Sequence, residues 1–412
     1  MDPYVSVIVT AHDRRRYLPE ALRSLEAQTL SKDKFEVIVV KNFEDPASDG
    51  IVRRNGWRDV VTDVAPLGGK IAIGLEEAKG EVITFLEDDD MYRPERLEVV
   101  DRTFRSHRDV VYFHNRQVAI DEDGRTIPLE VARFLLPLGA VKEHPDLIID
   151  ERVKKIPCAI DIIDALTGAD FNNSSIAIRR GLLSDRDLKL LSGMKTAVDL
   201  YIYARAFTND EGSLHLTSSK LTLYRVALHS ISSHVTPQLV LSGLIGSDQT
   251  LIRQLQIQRL RREIAIAQTY LTVHNVARRN CSPYNLYWTS HGGALINIIK
   301  YLPSPLELEG LPLSLFELLK LHTINYLIVG RRLSKTTRDL VDAIGAEHIL
   351  EDRLEKDDSL HRIKDWLFNL YLIVFSSSVS YVLQYLPRSL KEKYLRTSIK
   401  LEMYYRLRDF LT

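Results

Sequence analysis

Apolar residues in the first half of the chain follow two alternating rhythms. Val5, Val7, Ile8 and Val9 make a short, nearly unbroken apolar run, the pattern of a strand buried on both faces. Leu18, Ala21, Leu22 and Leu25 then recur at helical spacing up to Thr29, with Pro19 in the first turn. Phe35, Val37, Ile38, Val39 and Val40 predict a second strand. Ile71, Leu75 and Ala78 share one face of a helix that Gly80 closes. Residues 81–86 and 110–114 predict two further strands. Strands alternating with helices predict an α/β domain on a mostly parallel, Rossmann-like sheet flanked by helices. Ligands bind such sheets beyond the carboxyl ends of the strands. Those ends carry Thr10, Ala11, His12 and Asp13; Lys41 and Asn42; and Glu87, Asp88, Asp89 and Asp90. The three segments are expected to meet in one cleft.

The rhythm changes after about residue 235. Residues 251–279 form a long helical pattern rich in Arg and Gln, and Gly292, Gly293, Pro303, Pro305 and Pro312 punctuate the apolar stretches that follow. Two domains are expected: residues 1–235 as the α/β unit and residues 236–412 as a mainly α-helical C-terminal region. Residues 366–387 contain no charged side chain and are long enough to span a bilayer. Asn369, Ser376, Ser377, Ser378, Ser380 and Gln384 would each need a partner in hydrocarbon, which disfavours a true span. Arg388, Lys391, Lys393 and Arg396 follow. Two readings stay open: a buried helix of a C-terminal bundle, or a helix lying in the membrane interface with its cations near anionic headgroups.

Composition narrows the class. A chain of 412 residues with 45% hydrophobic and 27% charged residues is ordinary globular material for two or three domains. Lys+Arg and Asp+Glu are both 55, so the formal charge is zero, which argues against a protein that wraps nucleic acid. Cys158 and Cys281 are the only cysteines, which fits a reducing compartment without a disulfide framework or thiolate cluster. Met1, Asp2 and Pro3 lead straight into the first strand, without the basic start and longer apolar stretch of a signal peptide. The expected location is the cytoplasm, free or peripheral on the inner face of the cell membrane.

The sharpest chemical feature is the run Glu87-Asp88-Asp89-Asp90 at a predicted strand end. Adjacent carboxylates repel, and a divalent cation relieves the repulsion. Mg²⁺ and Mn²⁺ take oxygen ligands, and Mg²⁺ typically combines one or two carboxylates with substrate phosphates. The run therefore reads as half of a site whose other half is a diphosphate. Upstream, Leu67-Gly68-Gly69-Lys70 places a lysine beside two glycines that allow close backbone approach, or simply forms a turn into the next helix.

With these motifs in order, residues 4–230 resemble the family 2 glycosyltransferases, most densely over 4–105. The resemblance is carried by Ser6-Val7-Ile8-Val9-Thr10-Ala11-His12-Asp13-Arg14, the 18–25 helix with Gln28-Thr29, the 35–40 strand, the run from Ala78 to Asp90, and Pro94-Glu95-Arg96-Leu97. It implies a GT-A fold and inversion at the anomeric carbon. By the same resemblance Thr10, Ala11, His12 and Asp13 hold the nucleotide, with Asn42, Lys70, Asp88 and Arg225. Asp88 faces the ribose, and Asp89, Asp90 and His229 hold Mg²⁺ or Mn²⁺. His12 stands where the family usually has an aromatic, and Lys41-Asn42 where it usually has a base-contacting acid. The general base in the family is an Asp near a helix start. Asp199 matches it in Thr196-Ala197-Val198-Asp199-Leu200, with Asp170 as runner-up. Physically, an inverting transfer needs one carboxylate beside the acceptor hydroxyl, opposite the leaving group.

The expected function is an inverting, metal-dependent glycosyltransferase, hexosyl or N-acetylhexosaminyl in type. It would use a nucleotide-diphospho-sugar and a glycan or lipid-linked acceptor. Two alternatives remain: a sugar-nucleotidyltransferase on a similar sheet, and a non-catalytic binding protein that kept the fold.

Overall fold

A computed structural model describes residues 2–128, 143–156 and 159–226. These residues build one nine-stranded sheet with helices on both faces. Its first half is parallel: β3 (Arg58–Val61), β2 (Phe35–Lys41), β1 (Val5–Thr10) and β4 (Val82–Glu87) lie side by side in that order. Its second half is mixed. β8 (Ile176–Arg179) runs antiparallel between β4 and β6 (Val110–Ile120). β6 pairs parallel with β9 (Ser213–Arg225), whose far side carries β7 (Leu147–Ile149) and β5 (Met91–Tyr92), both antiparallel. The α/β class holds, and the parallel character belongs chiefly to the half that was legible as alternating strands and helices.

The central strand shows why the parallel half forms. All six residues of β1 are buried, and their period of two sends them to different layers. Val5, Val7 and Val9 pack with Leu18, Leu22 and Leu25 of α1 (Leu18–Glu26), Ile51 of α2 (Pro46–Arg54) and Leu97 of α4 (Arg96–Ser106). Ile8 faces the other layer, with Ile71 of α3 (Leu67–Glu77), Ile160 and Ile163 of α6 (Ala159–Thr167), Leu191 of α7 (Asp185–Ser192) and Leu200 and Tyr201 of α8 (Val198–Phe207). The short α5 (Glu151–Lys154) adds Val153 to that second layer. Each such side chain contributes roughly 1.5–3 kcal/mol when fully buried.

Local signals set the helix starts. Asp45 caps α2, accepting from the Ser48 N–H at 3.0 Å, with Pro46 in the first turn. Ser184 and Asp187 form a reciprocal capping box on α7. The Gly68-Gly69 pair is the first turn of α3, and its smallness serves packing: a Cβ on Gly68 would lie 2.1 Å from the Leu191 carbonyl oxygen of α7. The Gly68 N–H donates to Met194 O at 2.9 Å. The glycines thus seat one helix on another, and of the four residues only Lys70 reaches toward the strand ends.

Among the described residues no helix is long and apolar enough to cross a membrane. The expected boundary at 235, the helical region 236–412, and His229 within the first domain all lie outside the described residues.

Candidate active site

The three segments beyond β1, β2 and β4 do meet. The Ala11 N–H donates to Val40 O at 3.0 Å and the Asp88 N–H donates to Thr10 O at 3.1 Å, so backbone hydrogen bonds lace the loop 11–17 to both neighbouring strand ends. Thr10 and Ala11 are buried beneath it. Asn42 Nδ2 donates to Asp13 Oδ1 at 2.7 Å, and the Asp13 N–H returns the bond to Asn42 Oδ1 at 2.9 Å. His12 Nδ1 lies 3.0 Å from Lys70 Nζ, which also donates to Val64 O at 2.7 Å. Burial lowers the Lys70 pKa, opposed by the charges of Asp13 and Asp88. Thr10, Ala11, His12, Asp13, Asn42 and Lys70 therefore share one end of the sheet. Lys41 does not join them. It is buried under the strand end, bonded to Asp59 and in a salt bridge with Asp49 at 3.0 Å. The departure from the family pattern at Lys41 is a structural ion cluster, and only Asn42 faces the site.

The acid run is buried, not splayed into water: Asp88, Asp89 and Asp90 are 1%, 6% and 1% exposed. Glu87 is half-buried, accepting from Asn173 Nδ2 at 2.9 Å. Asp90 accepts from Asn172 Nδ2 at 2.8 Å and from the Arg225 N–H at 2.9 Å. Burial and repulsion from Asp89 raise the pKa values of Glu87, Asp88 and Asp90. Glu87, Asp89 and Asp90 each offer one oxygen within 4.8 Å of the others. Asp88 Oδ2 is buried with no hydrogen-bond partner. A crowded, desolvated, all-oxygen donor set with an orphaned carboxylate oxygen fits a hard divalent cation such as Mg²⁺ or Mn²⁺. Glu87 belongs to that set beside Asp89 and Asp90, although the resemblance assigned the metal only to Asp89, Asp90 and His229.

Two residues of this site, Arg14 and Asn172, escaped the sequence reading. Arg14 donates from Nη1 to Asp89 Oδ2 at 2.5 Å and from Nη2 to Asp88 Oδ1, so a single guanidinium forks across two carboxylates. Burial works against its charge, yet Asp89, Asp88 and Glu87 raise its pKa above the ordinary value. Its signal was its place in the loop already assigned to the nucleotide.

Asp199 sits in the first turn of α8 and joins the same constellation through Asn172. The Asn172 N–H donates to Asp199 Oδ2 at 3.0 Å while the Asn172 side chain holds Asp90, so one residue ties the candidate base to the acid run. Burial pushes the Asp199 carboxyl up to about 6, against the lowering effect of the Leu200 and Asn172 N–H groups. Among the described residues, positive φ outside glycine occurs at Asp13 (58°), Asn172 (73°) and Ala197 (55°). All three are in or beside this constellation, where backbone strain tends to collect. Asp170 lies two residues before Asn172, its N–H donating to Asp164 Oδ1 at 3.1 Å.

Arg225 takes a different place from the one expected. It is 1% exposed, and Nε donates to Asp89 O at 2.8 Å, Nη1 to Asp121 O and Glu122 O, and Nη2 to Glu20 at 2.6 Å. A guanidinium occupied in this way braces the backbone of the acidic loop from below; it is not free for a phosphate in this conformation. His229 lies outside the described residues.

A buried acid run thus lies beyond the carboxyl ends of the parallel half of the sheet, beside the loops that follow β1 and β2. Residues 6–156 match the family model "Glycosyl transferase family 2". The putative glycosyltransferase EpsH of Bacillus subtilis is 29% identical over 136 residues, covering 32% of this chain and 39% of that protein. The poly(ribitol-phosphate) beta-N-acetylglucosaminyltransferase TarS of Staphylococcus aureus is 24% identical over 243 residues, covering 57% of this chain and 38% of its own. The chain thus spans about two fifths of the length of the curated relatives it matches. Among solved structures, S. aureus TarS aligns with a TM-score of 0.41 at 16% identity, over 83% of this chain and 55% of that one. A mannosyltransferase of Pyrobaculum calidifontis in complex with GDP-Man and Mn²⁺ aligns with a TM-score of 0.38 at 14% identity, over 92% and 88%.

Proposed function

We propose that the chain is an inverting glycosyltransferase that moves a sugar from a nucleotide-diphospho-sugar to a hydroxyl of a glycan or lipid-linked acceptor. The observation that carries the reading is the joining of Glu87, Asp88, Asp89 and Asp90 to Asp199 through Asn172, at the edge where β1, β2 and β4 end. His12, Asp13 and Asn42 form the nucleoside side of the cleft, and Asp88 faces the ribose. Glu87, Asp89 and Asp90 hold Mg²⁺ or Mn²⁺. The bound ion supplies charge neutralisation to the departing diphosphate.

Asp199 acts on the acceptor. Its carboxylate takes the acceptor hydroxyl proton as the new C1–O bond forms on the face opposite the breaking C1–O bond to phosphate. The nucleoside diphosphate leaves with the bonding pair, and Asp199 is left protonated. Base catalysis of this kind contributes roughly 10²–10⁴-fold. The Asn172 and Leu200 N–H groups fix both carboxylate oxygens, at 3.0 Å each, which orients the base before substrate arrives. Lys70 lies at the donor side as a cation close to Asp13 and Asp88.

Residues 1–235 constitute the transferase domain in this reading, and residues 236–412 shape access for the acceptor, in the cytoplasm or at the inner membrane face. A panel of nucleotide sugars incubated with Mn²⁺, for wild type and Asp89→Ala, tests the proposal. Turnover of one donor that disappears with the substitution supports it, and turnover indifferent to the substitution removes the role given to the acids. Pyrophosphate among the products of a sugar phosphate and a nucleoside triphosphate would identify a nucleotidyltransferase instead.

A further inference from the structure

We propose that Arg14 is the resident counter-cation of the acid run, and that it exchanges partners during donor binding. It leaves Asp88 and Asp89 when a divalent ion arrives, and it re-pairs with the diphosphate that accompanies the ion. The inference rests on the donor-site reading above and adds to it a residue that controls the order and strength of loading.

Three observations carry it. The first is the fork itself: Arg14 bridges one oxygen of Asp89 and one of Asp88, in a pocket where these side chains are only 7% and 2% exposed. Asp89 is also one of the three acids whose oxygens cluster within 4.8 Å. A guanidinium and a divalent ion sharing that carboxylate would repel at short range with little water between them, so the two occupancies exclude each other. The second is specificity. Of three consecutive arginines, Arg15 lies over the Phe43 ring at 4.6 Å and Arg16 pairs with Glu122 at 2.9 Å, while Arg14 reaches the acids. The third is the route. The Arg14 side chain is 37% exposed, on the loop 11–17, directly after the left-handed turn at Asp13. It can withdraw into solvent without disturbing a packed element. A planar guanidinium fork suits diphosphate oxygens as well as carboxylates, so the displaced side chain has a second partner at the same cleft mouth.

The exchange makes opposite predictions for two ligands. Without nucleotide, Arg14 competes with the metal; with metal bound, it aids the nucleotide. The metal-depleted full chain is titrated with Mn²⁺ alone, followed by electron paramagnetic resonance. Nucleoside diphosphates are then titrated calorimetrically at saturating Mn²⁺. Arg14→Gln is expected to bind Mn²⁺ alone roughly tenfold more tightly than wild type, and the diphosphate roughly tenfold more weakly, within the usual range for coupled sites. Arg14→Lys, a point charge without the fork, falls between.

A readout on unaltered protein is phenylglyoxal labelling with peptide mapping. Arg14 is expected to be protected in metal-free protein, exposed by Mn²⁺, and protected again once the diphosphate joins. Mn²⁺ affinity equal in Arg14→Gln and wild type, or labelling of Arg14 unmoved by Mn²⁺ that demonstrably binds, overturns the exchange while leaving the donor site standing. Absence of Mn²⁺ binding in both proteins overturns the exchange and the metal reading together.

Discussion

The strands on either side of β1 end in two different buried charge clusters. At the end of β2, one cation meets two acids: Lys41 is wholly buried, but Asp49 and Asp59 keep 19% and 30% of their side chains in contact with solvent. At the end of β4, four acids meet one forked cation, and Asp88 and Asp89 keep 2% and 7%. Arg225 lies beneath the second cluster, yet its guanidinium is spent on backbone carbonyls and Glu20. The first cluster keeps its two acids partly in water around one central cation. The second has raised carboxyl pKa values. Burial of charge alone is therefore a poor guide to function; burial of like charge without enough counter-charge is the better one.

Substitutions can break that contrast. Asp199→Asn is expected to lower kcat/KM by roughly 10²–10⁴-fold, the usual worth of a positioned base. The same residue sets the pH dependence. Its native carboxyl is raised from 3.8 to about 6, so activity should rise about tenfold per pH unit below about 6 and level off above, a limb that Asp199→Asn abolishes. Stability moves the other way: native Asp199 holds its proton more tightly than the unfolded chain, so its contribution is present at low pH and is lost between 3.8 and about 6. Asp89→Ala should cost roughly 10²–10³-fold in kcat/KM by removing electrostatic support of the leaving group. Its melting temperature should stay close to wild type, since the substitution relieves repulsion as well as removing a bond to Arg14.

Lys41→Met reverses the pattern. Removing the central cation strands two acids, at a cost of about 3–5 kcal/mol in denaturant unfolding. Turnover per folded molecule should remain near wild type. A large activity loss at constant stability would erase the distinction between the two strand ends. The smallest effect is expected of Gly68→Ala: the added Cβ meets the Leu191 carbonyl, and α3 and α7 must part, costing about 1–3 kcal/mol without changing the metal response.

The parallel half of the fold was legible because its information is local. β1, α1, β2, α3 and β4 each announce themselves by the spacing of apolar residues within ten positions, and the loops at their ends follow from the sheet rule. β6 was legible in part, from residues 110–114, but β8 is four residues long and antiparallel, too short to show a period, so the mixed pairing around it was not. The same split runs through the site. The acid run and Asp199 stand out by residue type and context. Arg14 and Asn172 do not, because their roles come from pairings 75 and 82 residues distant in sequence. Arg225 misled for the opposite reason: a basic residue at a strand end near a donor site suggests a phosphate ligand, and only the packing shows its donors already taken. Gly68-Gly69 left two readings open, a ligand-facing loop and a turn into the next helix; the structure has the turn, packed against a neighbouring helix.

The central claim is that a cation held by residues 87–90 grips the diphosphate of a nucleotide-linked sugar. Calorimetric titration of UDP, GDP, CDP and dTDP into wild type and Asp89→Ala, each with and without Mn²⁺, tests it most directly. The account predicts that Mn²⁺ strengthens binding of at least one diphosphate to wild type and that this gain vanishes in Asp89→Ala. Diphosphate binding that is equally strong in all four conditions, or absent from all of them, contradicts it.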